Sequence, residues 1–179
     1  TPTAGSYTGG TLALRMTPPG LDFEVNATRT DGGVVEVLAT GSLPEAGPRE
    51  IRVTQARFDL ADDRWMLLRP ATFRWTAGGP VHVDDLELRA ERSQGRIAID
   101  GRVLPLAELD ARLDVAAMPV GDIQGLLGQP VRVDGLLWAE GSIRAGAGDP
   151  FLDLTFRVDN GAVEGVALSR LTGTLAYSG

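Results

Sequence analysis

Apolar and polar residues alternate one by one along most of this chain. The clearest run is Leu21-Asp22-Phe23-Glu24-Val25-Asn26-Ala27-Thr28. Successive side chains of an extended strand point to opposite faces, so a period of two writes one apolar face and one wet face. Arg96 to Val103 repeats the pattern more loosely, with Ile97 and Ile99 in phase. Leu109, Ala111, Leu113 and Val115 alternate with Asp110, Arg112 and Asp114. Leu152, Leu154, Phe156 and Val158 alternate with Asp153, Thr155, Arg157 and Asp159. Strands wet on one side favour antiparallel sheets over parallel sheets covered by helices.

Turn residues punctuate the alternation. Pro18-Pro19-Gly20, Asp31-Gly32-Gly33, Gly78-Gly79-Pro80, Ser93-Gln94-Gly95 and Asn160-Gly161 are such breaks, and Asp-Gly and Asn-Gly suit tight hairpins. The spacing of roughly 8–12 residues predicts an all-β meander of about thirteen strands. At about 4.8 Å per strand, one flat sheet of that size would be roughly 60 Å wide, so it must fold over, close or curve. The fold class expected is all-β, mainly antiparallel, an elongated, curved, open barrel-like groove with one short helix.

That helix is expected over Met118–Gly128. Val120, Ile123 and Leu127 recur at helical spacing, Pro119 suits a first turn, and Gly128 before Pro130 suits a stop. Two smaller departures accompany it. Between Ile51 and Leu60 the apolar phase slips, which a β-bulge near Gln55 would reconcile. Trp65, Leu67, Phe73 and Trp75 read as an aromatic hairpin.

Composition excludes several chemistries. The 179 residues include no cysteine, and all 17 basic residues are arginine. Thiol nucleophiles, thiolate zinc sites, disulfides and lysine-based catalysis are thereby removed. One histidine, His82, cannot build a multi-histidine metal site. A net charge of −7 with scattered arginines argues against nucleic acid as a partner. No apolar run is long enough to cross a membrane as a helix. The chain starts at Thr1 and stops after a strand-like run, and reads as an excerpt of a longer protein.

Few residues invite a chemical reading. His82 with Ser93 and an aspartate could formally make a triad, but no nucleophile elbow is present and a wet-face histidine between Val81 and Val83 is the simpler account. Asp62-Asp63 and Asp84-Asp85 lack the alternating oxygen ligands of a calcium loop and suit turns. Trp65, Trp75 and Trp138 could form a sugar platform or line a core or groove. No catalytic residue, metal ligand or cofactor is assigned, and the chain is read as a non-enzyme.

What remains is the apolar face. Folded onto itself, it is a sandwich core and the domain is a scaffold. Curved without meeting itself, it lines a groove that acyl chains could fill. Small residues on it (Ala27, Ala39, Ala90, Ala111, Ala139) favour a lumen. The candidate lining is Leu21, Phe23, Val25, Ile97, Ile99, Leu109, Leu113, Val115, Leu152, Leu154, Phe156 and Val158.

An ordered series of short pieces then resembles the repeating β units of the TamB/AsmA-like family. The pieces are Arg64-Trp65-Met66-Leu67 with Pro70-Ala71, Val81 to Leu88, Gly95 to Arg102, Leu113-Asp114-Val115 and Met118-Pro119. Ile123 to Leu127, Val131 to Leu137, Gly141 to Arg144, Asp149-Pro150, Leu152 to Asp159, Gly161 to Val166 and Leu171 to Tyr177 follow in order. Residues 61–179 carry the resemblance well and 1–60 more loosely, so 1–179 reads as one β-groove region. The resemblance implies a section of a β-groove spanning the periplasm of a Gram-negative cell, anchored in the inner membrane and conducting phospholipids toward the outer membrane. Its implied partners are phospholipid acyl chains, neighbouring β repeats and an outer-membrane barrel protein of the TamA type. The alternative it implies is a scaffold in outer-membrane protein assembly.

Overall fold

The computed structural model describes residues 7–17, 20–29, 32–60, 63–105, 109–120, 133–145, 151–163 and 165–178. Its strands are β1 (Tyr7–Thr17), β2 (Gly20–Arg29), β3 (Val34–Ser42), β4 (Arg49–Leu60), β5 (Asp63–Leu67) and β6 (Ala71–Trp75). They continue as β7 (Val81–Ala90), β8 (Arg96–Leu104), β9 (Asp110–Pro119), β10 (Val133–Arg144), β11 (Phe151–Val163) and β12 (Val166–Ser178). All twelve belong to one curved antiparallel sheet, in the order β1-β2-β3-β4-β5-β7-β8-β9-β10-β11-β12, with β6 set between β4 and β7. Chain order is sheet order, as the short turn-rich connections require.

β5 and β6 share one lane. β4 pairs β5 through Phe58↔Trp65 and β6 through Ile51↔Phe73, while β7 pairs β5 through Trp65↔Ala90 and β6 through Phe73↔Val83. The aromatic hairpin expected between Trp65 and Trp75 is therefore not formed. The Leu68 N–H donates to the Glu87 carbonyl at 2.8 Å, so the chain keeps running along β7 instead of reversing. Pro70, which has no N–H to offer a ladder, marks the interruption.

The phase slip in β4 is a bulge. Leu38 faces Gln55 and Ala39 faces Val53, leaving Thr54 without a partner residue and returning Ile51, Val53, Ala56 and Phe58 to one face. A second bulge, at Asp85 with φ of 61°, does the same for Val83 and Leu86 in β7. The helix expected over Met118–Gly128 falls mostly outside the described residues. Its first two positions end β9 instead, where Met118 faces Leu137 and is buried.

The core lies within one layer. Trp65, Ala90, Val115 and Met118 are buried together, with Phe58, Leu88, Ile97, Leu113, Leu137 and Ala139 packed around them. The Trp65 ring reaches the β7–β8 turn, where a Cβ on Gly95 would stand 3.0 Å from Trp65 Cη2. A larger residue there would have to push the indole by a few tenths of an ångström. Asp63 secures the same corner: its carboxylate accepts the backbone N–H groups of Arg64, Arg92 and Ser93 at 2.8, 2.9 and 2.8 Å. Burial pushes its pKa up, but these bonds and the Ser93 hydroxyl outweigh burial and hold it below the usual aspartate value.

The opposite face is laced by cross-strand ion pairs. Arg57 meets Glu36 at 3.2 Å, Arg96 meets Glu87 at 3.4 Å and Asp114 at 2.6 Å, and Arg170 meets Asp159 at 2.7 Å. Each exposed pair contributes about 0.2–1 kcal/mol, so they mark this face as wet more than they hold the sheet.

Candidate apolar groove

Residues opposite one another in a ladder project to the same side of the sheet. The registers therefore assign the faces directly. One row runs Leu21–Gly41–Ile51–Phe73–Val83–Gly101–Ala111–Ile143–Leu152, from β2 to β11. A parallel row runs Leu67–Leu88–Ile97–Val115–Ala139–Phe156–Gly173. No charged side chain interrupts either. Two glycines let the rows close up: Cβ atoms at Gly101 and Gly141 would meet the carbonyl oxygens of Asp110 and Asp153 on the next strands.

The registers place eleven of the twelve expected lining residues on this face, Leu109 lying outside the strands. Leu21, Phe23 and Val25 lie on β2, facing Gly41, Ala39 and Val37. Ile97 and Ile99 of β8 face Val115 and Leu113 of β9, which connect through Ala139 and Gly141 to Phe156 and Leu154 of β11. Leu152 and Val158 face Ile143 and Leu137. Leu109 lies just before β9, its carbonyl accepting the Ala145 N–H at 2.7 Å. Sequence reasoning missed Phe58, Leu86, Leu88, Leu137 and Ile143. Leu86 and Leu88 were hidden by the Asp85 bulge, whose signal is the same phase slip that exposed the bulge in β4.

This face is open. The substantial contacts among the described strands join only neighbours in the sheet. Large residues such as Phe23, Ile99, Leu154 and Phe156 are half-buried, whereas the inner face of a sandwich would bury them. The accessible surface is 11,059 Å², against about 8,300 Å² for a compact globule of this mass. Curvature and lateral packing give the burial that exists; Leu21 and Val115 reach 9% and 8% exposure.

The other sequence candidates do not assemble a site. His82 is exposed on the polar face opposite Arg74 and Arg102. Ser93 lies beyond the far end of the ten-residue β7, roughly 30 Å away along the strand, so no triad forms. Asp84 and Asp85 are engaged by Arg74 and Arg69. Asp62 lies outside the described residues. Among the described residues no three potential metal ligands converge. The tryptophans divide: Trp65 is buried, Trp75 sits on the apolar face opposite Arg49, and Trp138 is on the polar face with Arg157 4.4 Å from its ring centroid. A polar-face concavity of about 700 Å³ lies beside Trp138, Glu140, Thr155 and Thr174. Arg157 covers the indole there, so it offers no bare platform for a sugar.

No protein-family model, curated protein or solved structure matches this chain.

Proposed function

We propose that the apolar face is a conduit for lipid acyl chains. Tails lie across the two apolar rows while head groups stay at the open side, and no side chain performs covalent chemistry. The observation that carries this reading is a row of apolar residues crossing the sheet in which large side chains such as Phe23, Ile99, Leu154 and Phe156 stay half-buried. Water against such a surface is unfavourable by about 25 cal/mol per Å², and flexible hydrocarbon relieves that at any position along it. The resemblance to TamB/AsmA-like β units gives the setting: a section of an inner-membrane-anchored groove crossing a Gram-negative periplasm and passing phospholipids between membranes, next to further β repeats.

The test is photo-crosslinking in cells. A photoreactive residue replaces Leu113 or Leu154, with the outward Arg112 and Asp153 as controls, and adducts are read by mass spectrometry. Phospholipid adducts at the inward pair alone support the conduit. Leu113→Asp is expected to block lipid passage and Arg112→Asp to leave it intact; normal passage in both would refute the mechanism.

One observation favours a second reading. The edge strands β1 and β12 expose Leu12, Leu14, Val166, Leu171 and Leu175 and carry one charged residue each, Arg15 and Arg170. Sheet edges of water-exposed proteins are usually guarded by charge, proline or bulges. Unguarded edges suit pairing with a client strand, as in a scaffold for outer-membrane protein assembly working with a barrel partner of the TamA type. Crosslinks to outer-membrane proteins, with none to lipid, would select this reading.

A further inference from the structure

Where β4 pairs with β5 and β6, the register assigns two charged residues to the apolar face, one at each end of the pairing. Asp63 faces Leu60 at one end. It is buried, and its carboxylate is occupied by the three backbone N–H groups already described. Arg49 stands at the other end, opposite Trp75 and in phase with Ile51 and Val53.

Arg49 differs from the other arginines. Its Nε is buried with no hydrogen-bond partner, and no carboxylate reaches its guanidinium among the described residues. Arg57, Arg102 and Arg157 also have an unmatched Nε, but Glu36 and Asp159 lie against the guanidinium groups of Arg57 and Arg157, and Arg102 stands on the polar face in register with His82 and Asp110. The next residue along, Glu50, projects to the polar face and is engaged by Arg74. A half-buried cation beside an indole, on a face otherwise apolar, has unused donors in the planar fork that matches a carboxylate or phosphate. The far end of the same lane carries the buried Trp65 and the Asp63 corner. Of the two charged groups, Asp63 is fully engaged and Arg49 is not.

We propose that Arg49 anchors the acidic group of an anionic amphiphile whose tail lies along Ile51, Val53 and Phe73 toward Trp65. This rests on the conduit reading and adds a substrate class to it: one acyl chain bearing one carboxylate or phosphate. A neutral amphiphile uses the apolar face equally well but gains nothing from Arg49.

The test is titration of the purified chain with oleate and with oleyl alcohol, both kept below their aggregation limits. Wild-type protein is expected to bind oleate at least tenfold more tightly. Arg49→Gln should bring oleate down to the alcohol's affinity and leave the alcohol unchanged. Arg49→Lys should keep part of the preference, and Arg52→Gln, on the polar face of the same strand, all of it. A preference that survives Arg49→Gln overturns the proposal and leaves the conduit standing. Failure of wild type to bind either amphiphile overturns both. Inorganic phosphate that displaces oleate at submillimolar concentration would show a site for a free anion and overturn the amphiphile assignment.

Discussion

Val115 of β9 and Leu175 of β12 sit on the same face of the same sheet, in strands with the same alternation. Val115 is 8% exposed and Leu175 is 51% exposed. Val115 has Ile97 in register on one side and Ala139 on the other, and joins the Trp65 cluster. Leu175 has Leu154 on one side and the sheet edge on the other. In a protein of one layer, burial comes sideways, from neighbouring lanes and curvature. Stability should therefore fall from the Trp65 lane toward the edges, while surface open to a partner rises in the same direction.

The sharpest way to break that comparison is Trp65→Ala. The indole is fully buried against Ala90, Val115 and Met118, and removal of such a ring costs about 3–5 kcal/mol. Urea unfolding should show a loss of that size, with loss of cooperativity across β5, β7, β8 and β9. A loss under about 1 kcal/mol, the level of an ordinary surface change, would mean that stability is spread evenly over the sheet.

Asp63→Ala comes next. Three backbone N–H groups at the β5 and β7–β8 corner would lose their acceptor, at a cost of about 1–3 kcal/mol. The effect has a sign in pH. Because the hydrogen bonds hold the folded-state pKa of Asp63 below the ordinary aspartate value of 3.8, its contribution is complete above that value and is lost as pH falls through the lower folded one. The stability gap between wild type and Asp63→Ala should be flat down to about pH 4 and close in stronger acid. A gap that closes between about pH 7 and 5 would assign the effect to another group, since an unperturbed aspartate titrates near 3.9.

This contrast between centre and edge also marks what could be read in advance. The alternation at Leu21–Thr28 and Leu152–Asp159 put Leu21, Phe23, Val25, Leu152, Leu154, Phe156 and Val158 on one face, as the register does, because a period of two survives any sheet topology. The slip at Gln55 gave the bulge for the same reason. The course of β5 and β6 was not legible. Trp65 and Trp75 flank a turn-like segment whether the chain reverses or carries straight on, and the Leu68–Glu87 bond that decides this joins residues nineteen apart. Arg49 was equally hidden: one arginine at a strand start looks the same in sequence whether a carboxylate meets it or not. Only the pairing of Glu50 with Arg74, and the unmatched buried Nε of Arg49 beside Trp75, separate it from the others.

The smallest expected change in stability, at the edge, sharpens the comparison most for function. Thr174 is exposed on the polar face of β12, opposite Thr155, with nothing beyond it in the sheet. Thr174→Lys should alter unfolding by no more than about 0.5 kcal/mol, as surface changes do. It adds a second cation to a thirteen-residue edge whose one charge, Arg170, is already held by Asp159. Lysine on an edge opposes the approach of another strand. If the edges pair with further strands, sedimentation should show wild-type chains associating as concentration rises and Thr174→Lys shifting them toward single chains. Equal association in both would mean that contact is made through the apolar face instead. Leu113→Asp should then be the variant that disperses it.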